Sequence, residues 1–121
     1  MNTRTGANRN FTLTPFLWEH LVLDSLRFRF YDEDIFYWQD KSHREVDFVI
    51  RRSRDEIDIV ECKINPDKLD AGPVDVFRSL YPEGDNYLVS PAVRRPYKLR
   101  RGDLVFRVCS THDLPYQSSR L

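Results

Sequence analysis

Apolar residues recur at helical spacing from Phe16 to Leu26: Phe16, Leu17, Trp18, Leu21, Val22, Leu23 and Leu26. They predict a helix with a broad apolar surface, running to about Arg27 or Phe28. Thr14-Pro15 opens it, because threonine caps a helix well and proline suits the first helical position. The period then changes. Ile35 to Trp38 is a short aromatic and β-branched run, and Glu45 to Arg51 and Ile57 to Lys63 alternate in the manner of strands. Polar turns at Asp40-Lys41-Ser42-His43 and Ser53-Arg54-Asp55 separate them. Short links of this kind predict an antiparallel meander. Pro73, Val74, Val76, Phe77, Leu80 and Tyr81 restore helical spacing until Pro82-Glu83-Gly84-Asp85 stops it. Asn86 to Ser90 reads as a further strand. The helix before it resembles a crossover, so this strand and the third should be parallel neighbours. Tyr97 to Arg100 and Leu104 to Cys109, about Arg101-Gly102-Asp103, read as a closing hairpin.

The predicted fold is α/β in the broad sense (α+β): an α-β-β-β-α-β core, a central mixed sheet flanked by helices, and a C-terminal β-hairpin. Side chains alternate along a strand, so Val46, Phe48 and Ile50 share one face, and Asp47, Val49 and Arg51 share the other with Glu45. On the third strand Ile57, Ile59, Glu61 and Lys63 share a face. Aliphatics on both faces predict a sheet covered on both sides. Residues 1–13 read as a flexible polar arm, 14–114 as a single domain and 115–121 as a loose tail. A chain of 121 residues can bury one core.

Composition narrows the function classes. The formal net charge is zero, so the basic bias usual in a nucleic-acid binder is absent. Charge is nevertheless uneven. Asp32, Glu33 and Asp34 crowd one stretch; Arg94, Arg95, Lys98, Arg100 and Arg101 crowd another. The basic stretch reads either as a nucleic-acid contact or as solvated hairpin charge. No apolar run approaches the roughly 18 to 20 residues that a membrane helix needs, and the start has no apolar signal core. The expectation is a cytoplasmic protein with no membrane partner. Cys62 and Cys109 form no CxxC pair and read as small buried hydrophobes. No phosphate-cradling glycine loop is present.

The candidate chemistry lies on the second and third strands. A hairpin centred on Arg54 sets Asp47 directly opposite Glu61, and directly opposed Cβ atoms lie about 4.5 to 5.5 Å apart. Two carboxylates at that separation can converge on one Mg²⁺, which keeps several waters. Lys63 lies two residues past Glu61 on the same face, within reach of a metal-bound water or a phosphate oxygen. Such an ion lowers the pKa of its water and polarises a phosphoryl oxygen. The competing reading is a solvated sheet face carrying an ion pair. Against it stand Val49, Ile57 and Ile59, which share the face with the acids. Glu19 on the first helix adds a third acid, as a further metal ligand or as an exposed helical residue. His20, His43 and His112 lack the spacing of a zinc site.

Glu19, Asp47 and the Glu61-Cys62-Lys63 triplet, in this order, resemble the PD-(D/E)XK nuclease-like domains. The segments WEHLVLDSL, FYWQDKSHREVDFVI and DIVECKINP are similar, more specifically, to the C-terminal domain of unknown function carried by many archaeal and bacterial AAA+ ATPases. The resemblance covers about Phe16 to Pro91. It implies a restriction-endonuclease-like core, metal binding by Asp47 and Glu61, a catalytic Lys63, and Glu19 as the helix acid that some members use. Val46 stands where the family name has proline, and His43 occupies a turn position where a small residue is expected.

The leading expectation is therefore a Mg²⁺- or Mn²⁺-dependent nuclease, or a nuclease-like domain associated with an AAA+ ATPase. The substrate is nucleic acid, DNA ahead of RNA, and a homodimer is a further expected partner state. The alternative is a catalytically inactive module of the same fold that binds nucleic acid or protein.

Overall fold

The computed structural model describes residues 12–117. The proposed arm and tail therefore lie largely outside the described residues. Helix α1 spans Pro15–Arg29, and the Thr14 hydroxyl accepts a hydrogen bond from the Leu17 N–H at 3.1 Å, as an N-cap should. Strands β1 (Ile35–Gln39), β2 (Glu45–Arg51) and β3 (Ile57–Cys62) follow. Helix α2 (Gly72–Leu80) leads to β4 (Asn86–Val89), and β5 (Tyr97–Arg101) and β6 (Leu104–Cys109) form the closing hairpin. The α+β architecture is as expected, two helices on a six-stranded mixed sheet of order β1-β2-β3-β4-β6-β5. The pairs β1–β2, β2–β3 and β5–β6 are antiparallel; β3–β4 and β4–β6 are parallel. The crossover through α2 makes the β3–β4 pair parallel, as the sequence pattern requires.

Two apolar layers sandwich the sheet. On one side α1 inserts Trp18, Val22 and Leu26 against Phe48, Ile50, Val60, Tyr87 and Val89. On the other, Val74 and Phe77 of α2 pack on Val49, Ile59, Leu88, Phe106 and Val108. The α1 stripe is held to the sheet by the Trp18 indole N–H, which donates to the Val89 carbonyl at 3.0 Å in a buried setting. From Leu114 onward the chain returns across α1. The Gln117 N–H donates to the Arg29 carbonyl at 2.9 Å, and the Arg29 guanidinium lies 4.8 Å from the centre of the Tyr116 ring.

One sequence expectation needs correction. Strict alternation puts Val46 on the face opposite Val49, yet both residues lie in the α2-side core. The ladder between β1 and β2 shifts register between Phe36 and Trp38. Val46 and Val49 thus pair with residues only two apart, Trp38 and Phe36, so β2 carries one extra residue over this stretch. Such a bulge bends the strand and re-aims side chains locally. Asp47 lies within it.

The turn between β1 and β2 also departs from ordinary backbone. His43 has φ of +63°, the left-handed region that favours glycine or asparagine. This agrees with the expectation of a small residue there. The Asp40 side chain stabilises the turn by accepting from the Ser42 N–H at 2.9 Å and the Arg44 N–H at 3.0 Å.

Candidate functional site

The β2–β3 ladder pairs Phe48 with Val60, Val49 with Ile59, Ile50 with Asp58 and Arg51 with Ile57. Continued one step, this register sets Asp47 opposite Glu61, as a hairpin centred on Arg54 predicts. The bulge gives Asp47 a second task. Its Oδ2 accepts a hydrogen bond from the Cys62 backbone N–H at 2.8 Å. A side chain here takes the donor that a β2 carbonyl would take in a regular ladder. Asp47 is thereby held at the margin of the sheet, between Glu19 on α1 and Glu61 on β3, and both acids feel its charge.

Glu61 is buried, with 5% of its surface exposed. Its carboxyl is pushed up to about 9, by burial first, then by the charge of Asp47 and a hydrogen bond between the two carboxyl groups. Lys63 works in the opposite direction on Glu61, which places its ammonium within electrostatic reach. Glu61 therefore carries a proton at neutral pH. Glu19 is half-buried and also raised, by burial and then by Asp47, with Glu45 adding to the shift and His20 and Lys63 opposing it. Burial and the surrounding acids push the Cys62 thiol far above its ordinary value, so it is a neutral, unreactive neighbour.

Lys63 lies one residue past the end of β3, but its N–H still donates to the Val89 carbonyl at 3.1 Å. That bond extends the parallel β3–β4 pairing by one position and fixes where the lysine leaves the sheet. Ser90 closes the same end: its hydroxyl donates to the Ile64 carbonyl at 2.8 Å, and its N–H donates to the Cys109 carbonyl at 3.0 Å. Next to Glu19, a cavity of about 120 Å³ is lined by Phe16, His20, Leu23 and Phe48. Phe16 and His20 stack edge to face there at 4.4 Å between ring centres.

The structure thus brings together Glu19, Asp47, Glu61 and Lys63. It does not make a three-donor cation site of them: among the described residues no three His, Cys, Asp or Glu side chains are grouped to hold a metal ion. The basic stretch is divided. Arg94 and Arg95 are exposed in the loop after β4, near the end of the sheet where Glu61 and Lys63 lie; Arg100 and Arg101 lie at the far end of β5. Lys98 stands between, directly across from Arg107 of β6. Sequence reading missed Arg107. The β5–β6 turn about Gly102 was the signal that could have paired it with Lys98.

The fold and this grouping define a small α+β domain with a carboxyl pair at one end of its sheet. The chain belongs to the family described as a domain of unknown function, DUF4143, whose family model matches residues 15–113. Among solved structures it is similar to a chain of the refined half-complex from a tetradecameric assembly of Thermococcus gammatolerans McrB AAA+ hexamers with bound McrC. The TM-score is 0.51 at 12% sequence identity, over 78% of this chain and 27% of that one. The likeness is one of fold, and the protein spans about a quarter of its neighbour's length. No curated protein matches the chain in sequence. Among the described residues no helix is long and apolar enough to cross a membrane.

Proposed function

We propose that this domain hydrolyses phosphodiester bonds in nucleic acid, DNA ahead of RNA, with the help of Mg²⁺ or Mn²⁺, and works alongside an AAA+ ATPase. One grouping carries the reading: half-buried Asp47 stands opposite buried Glu61 at the end of the β2–β3 ladder, with Lys63 two residues on. A buried carboxyl beside a second acid is unfavourable for folding, and water-facing acids would serve the surface better. The pair is intelligible if a cation takes the place of the Glu61 proton. Mg²⁺ is commonly held by one or two carboxylates, with water in its remaining positions. Asp47 and Glu61 supply that number without a third protein donor, and Glu19 lies within electrostatic reach of both.

When bound, the ion supplies Lewis acidity toward water and the phosphoryl oxygen. The chain's own groups do the rest. Lys63 offsets charge that develops on the phosphate and orients the attacking water. The Cys62 N–H holds Asp47 in one orientation. The AAA+ setting draws support from the fold likeness to a chain in an assembly of AAA+ hexamers.

A second reading, a module of the same fold that binds without cleaving, draws on the lack of a third grouped donor among the described residues. Calorimetry of Mn²⁺ binding separates the two. The parent should bind with release of a proton near neutral pH, and Asp47→Asn should lose binding. Incubation with DNA and either metal should show cleavage that Lys63→Ala lowers by about 100-fold or more. A parent that binds no Mn²⁺, or a Lys63→Ala that cleaves as well as the parent, would leave only the binding module.

A further inference from the structure

The side of the sheet that α1 covers is not covered to its edge. Lys98, Arg100, Val105 and Arg107 of β5 and β6 are exposed there, while Leu99, Phe106 and Val108 on the reverse pack into the α2-side core. The last two strands thus have one dry face and one wet face.

The wet face carries an unfavourable pairing. Lys98 and Arg107 are directly opposed in the β5–β6 ladder, and Arg100 stands two residues from Lys98 on the same face. Directly opposed like charges destabilise an antiparallel pair, their Cβ atoms being about 4.5 to 5.5 Å apart. Compensation within the chain is partial. Arg107 Nη2 lies 3.7 Å from Asp85 Oδ1, a half-exposed contact, and its guanidinium sits 6.0 Å from the centre of the Tyr87 ring. Asp103 is the other acid at the rim of the depression here, which is about 300 Å³ in volume. The three cations are spread along two strands and do not converge on one point. That layout suits a run of anionic groups better than a single phosphate or carboxylate.

We propose that this face of β5 and β6 is a docking surface for the sugar-phosphate backbone of nucleic acid, with Lys98, Arg100 and Arg107 each meeting phosphate oxygens. The inference rests on the proposed nucleic-acid substrate and adds where that substrate lies. Val60, Tyr87, Arg107 and Lys98 follow one another across β3, β4, β6 and β5. Neighbouring strands are about 4.8 Å apart, so Lys98 is roughly 14 Å across the sheet from Val60, the residue before Glu61. Glu61 pairs with Leu88 of the α2-side core, so a strand held on this face meets the carboxyl pair by passing round the end of the sheet.

The test uses a labelled DNA duplex and its single strand, titrated with the whole chain in chelator across a range of salt, with anisotropy as readout. The double variant Lys98→Glu/Arg107→Glu should bind at least about tenfold more weakly at low salt. Its plot of log affinity against log salt should be shallower by about 1.8 on the duplex, since each lost phosphate contact removes about 0.9. Lys98→Glu alone creates an opposite-charge pair with Arg107, so it should melt higher than the parent while binding DNA less tightly. Parent-like affinity and slope in the double variant, no DNA binding by the parent, or equal displacement of DNA by poly-glutamate would overturn the proposal. Lys63→Ala keeps the two ideas apart. Should it cleave like the parent, the nuclease reading falls while the docking face still stands or falls on the binding data.

Discussion

Gly84→Ala should cost about 4 kcal/mol or more, enough to leave little folded protein. Gly84 has φ of +137°, which side-chain-bearing residues rarely adopt. A Cβ there would also lie 1.9 Å from the Ile57 carbonyl oxygen and 2.5 Å from its carbon, and neither backbone atom has room to yield. The close approach exists because the loop after α2 is laced to the start of β3. The Ile57 N–H donates to the Glu83 carbonyl and the Ile59 N–H to the Asp85 carbonyl, both at 2.9 Å. Beneath this loop the nearly buried Arg78 guanidinium donates to Asn86 Oδ1 and to the carbonyls of Ile57, Tyr81, Glu83 and Asp85 at 2.8 to 3.1 Å. Asp58 completes the clasp, accepting from the Asp85 N–H at 2.8 Å and pairing with Arg52 at 2.9 Å. This clasp sets the parallel register that puts Glu61 beside Leu88 and Lys63 on Val89. Denaturant unfolding followed by circular dichroism measures the loss. A Gly84→Ala protein with a parent-like midpoint would show that the loop can move off β3.

In chelator, the stability of the parent should fall by about 3 kcal/mol between pH 6 and pH 8, and Glu61→Gln should remove most of that slope. Unfolded, the Glu61 carboxyl loses its proton near the ordinary 4.5; folded, it keeps it up to about 9. The folded chain therefore binds the extra proton across this interval. The stability linked to Glu61 is full below about pH 4.5 and is lost as pH climbs toward 9. Glu19, raised for the same reasons, adds in the same direction. For a domain of this size the loss corresponds to roughly 10 °C in melting temperature. Glutamine keeps a hydrogen-bonding group beside Asp47 without a proton to lose, so Glu61→Gln should be the more stable protein at pH 8. If a divalent cation replaces the Glu61 proton, Mn²⁺ should raise the melting temperature of the parent at pH 8 and leave Glu61→Gln nearly unmoved. Melting curves across pH, with and without Mn²⁺, read both effects. Parallel pH profiles for parent and variant would mean that Glu61 is not the titrating group.

The helices and strands were largely legible along the chain. The β2 limits match the alternating run Glu45–Arg51, and the β2–β3 register follows from a short turn centred on Arg54. Both are local matters: periodicity reports which element forms, and a tight turn leaves its two strands little freedom to slide. The local pattern alone therefore sets Asp47 against Glu61. Alternation failed at Val46, because a bulge depends on how β1 meets β2 and leaves no clear trace in the pattern of one strand.

By itself, then, the amino-acid order determined the element types, the antiparallel meander, the parallel crossover and the nearness of two acids. Only the tertiary structure decided that Asp47 would turn to hold the Cys62 N–H, and that Glu61 would be dry enough to keep its proton. It also decided that the basic stretch would divide, and that Lys98 would face Arg107. Those outcomes depend on desolvation and on contacts between segments distant in sequence. A carboxyl's proton affinity responds to everything packed around it, whereas a strand's periodicity responds mainly to which of its faces is dry.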